Sequence, residues 1–260
     1  MFNDAQAYER MTGTWSALVG EAFLDWLAPA PNLRWLDAGC GTGAFTRRIA
    51  LRCAPASVHG LDPEAAQIDH ARRRPGAPSA HFRVGDAMAM PYAPASFDVA
   101  VMALVLVFLP DPARGVSEMV RVLAPGGLAC AYNWDLLGRG SPLAPLGLAM
   151  RQAGVPAPCA PSEHASREEV MRQLWIAAGL KDVQTRAFTV QRRFDSFEDA
   201  WEVSQLGAST AAVLRSLSRD KREEVKSRFR ENLRQDTAGP VTCTARAIAV
   251  RGRVGGGQAG

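Results

Sequence analysis

The stretch Asp37-Ala38-Gly39-Cys40-Gly41-Thr42-Gly43 carries the residue types that seat a small charged ligand. Glycines at alternate positions let the backbone turn through strained angles and let a ligand approach without meeting a Cβ. A helix starting near Gly43 would add free amides and a positive dipole end. Gly39, Gly41 and Ala44 also satisfy G-x-G-x-x-G/A, a dinucleotide pattern, so the glycines alone leave two ligand chemistries open. Asp37 and Gly43 discriminate. A carboxylate at a strand end repels a pyrophosphate but helps hold an ammonium group, and Gly43 extends the series beyond what a dinucleotide turn requires. The pattern therefore fits a zwitterionic, sulfonium-bearing ligand better. Asp62, in Gly60-Leu61-Asp62-Pro63, could accept from both hydroxyls of a ribose, a contact common to both ligand types.

Strands and helices must bring these residues to one edge. Apolar residues at helical spacing over Tyr8 to Leu27, stopped by Pro29 and Pro31, predict an amphipathic helix. Strands are expected at Arg34–Ala38, Ser57–Leu61, Ala80–Val84, Phe97–Ala103 and Leu128–Trp134. Helices over Gly43–Arg52, Glu64–Arg74 and Asp111–Leu123 alternate with them. Such alternation implies a doubly wound parallel sheet with ligands at the carboxyl ends of the strands. Beyond Trp134 the pattern changes. Leu136 to Ser166 is rich in Pro and Gly, Arg167–Ala178 reads as helix and Val183–Phe194 as strand. Phe197–Gln235 is mostly helical, and Val241–Arg251 is a last strand. The late pair suits an antiparallel addition at one sheet edge. The expected fold is thus α/β, a mostly parallel seven-stranded sheet with an antiparallel edge strand and helical lid insertions.

At the glycine turn the chain resembles the class I S-adenosylmethionine-dependent methyltransferases, whose sheet is Rossmann-like. The resemblance continues through Asp62-Pro63, Asp86-Ala87, Ser96-Phe97-Asp98-Val99, Leu109-Pro110-Asp111, Glu118, Arg121-Val122-Leu123 and Pro125-Gly126-Gly127, in order, over about Leu33 to Trp134. It implies S-adenosylmethionine as cofactor, seated by Asp37, Gly39, Cys40, Gly41, Thr42, Gly43, Asp62 and Pro63. Asp86 and Ala87 would border the adenine, and Ala103 would offer backbone groups to the methionine moiety. Tyr8-Glu9-Arg10-Met11 with Trp15-Ser16, Ala131-Tyr132-Asn133-Trp134-Asp135 and Thr244-Ala245-Arg246-Ala247 resemble a bacterial subgroup acting on small molecules. The implied organisation is one domain over 1–254. It comprises an N-terminal cover (1–30), a cofactor core (33–135), lid or substrate insertions (136–178 and 195–239) and a flexible tail (255–260).

The implied chemistry is in-line displacement on a methyl group by an N, O, C or S nucleophile. The cofactor supplies the activation, and the protein positions and desolvates the reactants. Catalytic candidates are few. His164 lies in the Pro-rich segment and suits a general base; Trp134 with Asp135 could wall an amine. Tyr8 and Trp15 are candidate covers. Asp98 starts its strand, at the end opposite the site, and reads as structural; His59, His70 and His81 read as packing or surface residues.

Composition narrows the partners. The chain has 260 residues, 47% of them apolar and 22% charged, enough for a sizeable core. The +4 charge is almost all arginine interleaved with acids, as in Arg219 to Arg234, which reads as a solvated helix face and not a nucleic-acid stripe. No apolar run reaches a bilayer span, and Met1–Arg10 lacks a secretory pattern. The cysteines are scattered, without metal-ligand spacing. The expected protein is cytoplasmic, with a small-molecule substrate, no metal, no nucleic-acid partner and no membrane.

Overall fold

The computed structural model describes residues 13–74, 79–233 and 239–256. After helix α1 (Thr14–Leu27), strands β1 (Arg34–Ala38), β2 (Ser57–Asp62) and β3 (Ala80–Val84) alternate with α2 (Ala44–Arg52) and α3 (Ala65–Arg73). Strand β4 (Phe97–Ala103) leads through a 3-10 turn (Leu106–Phe108) to α4 (Pro112–Val122) and β5 (Leu123–Trp134). Asp111 caps α4 by accepting from the Arg114 N–H at 3.0 Å, and Pro112 occupies the first turn, where a missing N–H costs nothing.

The sheet order is β3-β2-β1-β4-β5-β7-β6. β1 through β5 run parallel, and β7 (Val241–Arg253) runs antiparallel to both β5 and β6 (Lys181–Phe194). The reversed strand of the expected edge addition is therefore the penultimate one, with β6 outermost. The chain winds outward from β1 through β2 to β3, then restarts at β4 on β1's other side. That reversal opens a crevice at the carboxyl ends of β1 and β4.

Two apolar layers cover the sheet. Helices α1 and α2 place Phe23 and Phe45 against Tyr132, with ring centroids 4.7 and 5.6 Å away. On the other face α4 supplies Val116 and Met119, and α6 (Glu168–Ala177) supplies Met171 and Trp175. The buried Trp175 indole finds its acceptor in the Ala129 carbonyl at 3.0 Å. A third cluster lies between α5 (Ala144–Gln152), α7 (Phe197–Ser204) and α9 (Arg219–Leu233) and the Phe194 and Val241 ends of β6 and β7, and it includes Trp15, Trp201 and Phe229.

The structure departs from the expected boundaries where local chemistry intervenes. The stretch Phe197–Gln235, expected to be mostly helical, holds three helices over its described residues: α7, α8 (Ala208–Ser216) and α9. Gly207 sits at the N-cap of α8, and the Ser218 hydroxyl accepts from the Lys221 N–H at 3.3 Å before α9. Both residue types favour helix ends over interiors. The Pro- and Gly-rich segment Leu136–Ser166, expected within a helical lid insertion, contains α5 and a 3-10 turn at Glu163–Ser166. β5 begins at Leu123, not Leu128, because Leu123 pairs with Phe97 before Pro125-Gly126-Gly127 bulges out and pairing resumes between Leu128 and Val99.

Candidate active site

Gly39, Gly41 and Gly43 all have positive φ, at 85°, 52° and 73°. The Gly39 and Cys40 amides donate to the Leu61 carbonyl at 2.6 and 2.9 Å, which ties the turn to β2. A Cβ on Gly39 would lie 2.4 Å from Val105 Cγ2, and one on Gly43 would lie 2.7 Å from Phe82 Cε1. Side chains of the protein itself thus close on these two glycines, and a tight turn alone accounts for them. The ligand signal comes from the polar atoms beneath.

Asp37 is fully buried at the end of β1. Its Oδ2 accepts from the Thr46 hydroxyl at 2.7 Å, while among the described residues neither Oδ1 nor the buried Thr42 hydroxyl has a partner. Burial pushes the Asp37 carboxyl up to about 7, opposed by the Thr46 hydrogen bond. Asp62 is better served: Oδ2 accepts from Gly41 N–H at 2.8 Å and Oδ1 from Glu64 N–H at 3.0 Å. Its carboxyl is also raised by burial, so two adjacent strand ends carry carboxylates that a cation or hydroxyl donors would stabilise. Pro63 follows, exposed. Burial, reinforced by the Asp37 and Asp62 charges, pushes the Cys40 thiol far up, so it lines the turn as a neutral group.

A residue not foreseen from the sequence fixes the turn. Arg47, buried on α2, donates from Nη1 to the Thr42 and Gly43 carbonyls, both at 3.0 Å, and from Nη2 to Ala71 at 2.5 Å and Arg74 at 3.2 Å. Its guanidinium lies 5.6 Å from the Phe82 ring centroid. One side chain thus pins the glycine turn to the carboxyl end of α3, where the helix dipole favours a cation.

The Asp86-Ala87 loop is held from α4. Glu118 accepts from Met90 N–H at 2.7 Å, Arg114 donates to the Met88 carbonyl at 3.0 Å, and Arg121 donates to Met90 and Tyr92 carbonyls at 2.8 Å each. Arg121 also clasps Glu118, and that hydrogen bond chiefly holds the Glu118 carboxyl below its usual range. Asp86 is exposed and accepts from Met88 N–H at 2.8 Å; Ala87 is buried. Ala103 ends β4 opposite Tyr132, after which Leu104 takes a positive φ of 64° and donates to the Tyr132 carbonyl at 2.8 Å.

The remaining candidates divide. Trp15 and Trp134 meet edge to face, centroids 6.4 Å apart, so the candidate cover Trp15 and the candidate wall residue Trp134 are one aromatic unit; Tyr8 lies outside the described residues. Asp135 is committed: it pairs with Arg246 and accepts from Gly138 N–H at 2.9 Å. This joins the Trp134-Asp135 and Thr244–Ala247 segments, which lie side by side on β5 and β7. His164 is exposed on its 3-10 turn, which Ser162 fastens beside the exit of β4 by donating to the Val107 and Leu109 carbonyls at 3.0 and 2.7 Å. Asp98 pairs with Arg34 at 2.7 Å at the opposite end of the sheet, and His59 stacks 5.0 Å from His81, both away from the crevice. A cleft of about 300 Å³ lined by Leu27, Asp98, Pro125 and Arg253 also opens at that opposite end, apart from the glycine turn and its carboxylates.

Comparison with known proteins gives the same picture. Residues 36–131 match the family described as methyltransferase domain. The malonyl-[acyl-carrier protein] O-methyltransferase of Serratia marcescens is 34% identical over 130 residues, 48% of this chain and 49% of that protein. Among solved structures, the YcgJ protein of Bacillus subtilis superposes with a TM-score of 0.62 at 16% identity, over 92% of this chain and 98% of that one. Phosphoethanolamine N-methyltransferase 2 of Haemonchus contortus, in complex with S-adenosyl-L-methionine, gives 0.54 at 17% identity, over 91% of this chain and 52% of that one. The chain spans about half the length, or less, of the curated relatives it matches. Residues 36–131 thus carry the sequence match to the methyltransferase-domain family, and the sheet around them shares its fold with a solved methyltransferase structure.

Proposed function

We propose that this protein transfers a methyl group from S-adenosylmethionine to an N, O, C or S nucleophile of a small molecule. The observation that carries this reading is the unpartnered Oδ1 of Asp37, buried beneath the glycine turn beside the unpartnered Thr42 hydroxyl. A buried acceptor and a buried hydroxyl without partners fit a ligand that brings its own donors and positive charge. When bound, the cofactor supplies an activated methyl group whose departure leaves a neutral thioether. Asp37 would face the cofactor's cationic end, Asp62 the ribose hydroxyls, Asp86 and Ala87 the adenine, and Ala103 the methionine backbone. Insertions 136–178 and 195–239, with the Trp15–Trp134 pair, would exclude water on the acceptor side. With Asp135 held by Arg246, it serves as part of that wall and not as a base. The cations of α9 pair with acids, Lys221 with Glu224 and both Lys226 and Arg230 with Glu198, which supports a small molecule over a nucleic acid. Among the described residues no helix is long and apolar enough to cross a membrane. The buried free thiols of Cys40, Cys53 and Cys130 support a cytoplasmic setting.

The dinucleotide alternative meets the Asp37 carboxylate where its pyrophosphate would lie. Isothermal titration with S-adenosylhomocysteine and with NADH separates the two readings: only the former binds. Tight binding of NADH alone sinks the methyltransferase assignment.

A further inference from the structure

Asn133 on β5 is completely buried, and among the described residues neither its Nδ2 nor its Oδ1 has a hydrogen-bond partner. A buried polar group without a partner is destabilising, so a side chain orphaned at both ends asks for a partner from outside the fold. Its place says which partner. Leu104 donates to the carbonyl of Tyr132, the residue before Asn133, and Val105, the residue after Leu104, lies against Gly39. One strand spacing therefore separates Asn133 from the segment that borders the glycine turn.

Strand alternation fixes the face. Ala129 and Ala131 point into the core cluster that contains Leu106, Ala165 and Ile248, and Asn133 follows in the same parity, directly opposite Ile248. The carboxamide thus looks into an apolar surround. The hydroxyls buried in the adjoining 3-10 turn are already spent as donors, Ser162 to Leu109 and Ser166 to the Glu163 carbonyl. The next charges along that face, Asp135 and Arg246, neutralise each other. Among the described residues an anionic or cationic group would find no free counter-charge here, and a hydrocarbon would leave the amide unpaired.

We infer that Asn133 is the polar floor of the acceptor subsite and that it receives an uncharged group presenting a donor and an acceptor side by side, as a carboxamide does. This rests on the methyltransferase reading and assigns the acceptor's chemical class within it.

The test uses the whole protein saturated with S-adenosylhomocysteine, with benzamide, benzoate and toluene as probes of thermal stability. Benzamide raises the melting temperature of the wild type, and benzoate and toluene do not. Asn133→Val keeps S-adenosylhomocysteine affinity within about threefold and loses the benzamide response. Without ligand that variant melts roughly 3 °C or more above the wild type, because the orphaned amide is gone. Asn133→Asp preserves size; its buried carboxyl, donor and acceptor while protonated, responds to benzamide at about pH 5 and not at about pH 8. A benzamide response that survives in Asn133→Val, one that is matched by benzoate or toluene, or none in the wild type overturns the inference. So does a pH-independent response in Asn133→Asp. Failure of the wild type to bind S-adenosylhomocysteine would instead strike the methyltransferase reading itself.

Discussion

Asp37 concentrates the conflict between folding and binding at this site. Its carboxyl loses water on burial and receives one hydroxyl in return, so its pKa rises from 3.8 to about 7. The native state therefore keeps a proton that the unfolded chain gives up above pH 3.8. Asp37's stabilising protonation is fully present below that pH and is lost as pH climbs toward about 7. A ligand ammonium group, which S-adenosylhomocysteine keeps although it lacks the sulfonium charge, reverses the preference by favouring the charged form. S-adenosylhomocysteine affinity should accordingly fall as pH drops below about 7 and level off above it. Asp37→Asn keeps an acceptor for the Thr46 hydroxyl. It should raise ligand-free melting temperature at alkaline pH, flatten the pH dependence and weaken binding by roughly 10- to 100-fold. Calorimetric titrations across pH on both proteins check this; an unchanged profile in the variant would remove Asp37 from the binding site.

At the scale of elements, α4 is the handle of the loop that follows β3. Arg114, Glu118 and Arg121 lie on one edge of the helix at i, i+4 and i+7 and between them grip Met88, Met90 and Tyr92 backbone groups. Arg121→Met leaves Glu118 without its paired cation, takes the guanidinium donor from the Tyr92 carbonyl and leaves the Met90 carbonyl only the Tyr92 N–H. It should cost about 1–3 kcal/mol of stability and weaken S-adenosylhomocysteine binding through the Asp86-Ala87 loop. The pH profile set by Asp37 should stay in place, which separates this loss from one at the glycine turn; titration at two pH values reads both. Elements such as β4 and the turn after β1 were legible in the sequence because period, punctuation and burial agree there. Arg47 was not, since a basic pair on a short helix, Arg47-Arg48, reads as solvated until α3's carboxyl end is seen to meet it. Asn133 was hidden inside an apolar strand, and Asp135 depends on Arg246, a partner 111 positions away that no local pattern announces. The broken helices of 197–235 needed Gly207 and Ser218 to be weighed as stops within an otherwise helical composition.

For the molecule as a whole, the two halves differ in how they are tied together. Residues 33–135 share one parallel sheet, while α5, α7 and α9 pack mainly on each other and reach the sheet through Trp15, Trp134 and β7. On the proposed reading the cofactor-holding groups all lie in that parallel part of the sheet, and ligand occupancy there should be felt as global stability. A ligand at about 100 times its dissociation constant adds about 2.7 kcal/mol, which in a chain of this size corresponds to a rise in melting temperature of roughly 5–10 °C. S-adenosylhomocysteine should produce that rise at about pH 8, at a concentration set from its affinity there, and less at about pH 6 at the same concentration. Protonated Asp37 is the physical reason for the difference, because the ligand's positive charge must first displace its proton. The Trp15–Trp134 pair offers a second readout on the same samples, since tryptophan fluorescence there reports the acceptor side of the crevice. A melting shift equal at both pH values would mean that the ligand's cation does not meet Asp37, and would move the charged end of the cofactor away from β1.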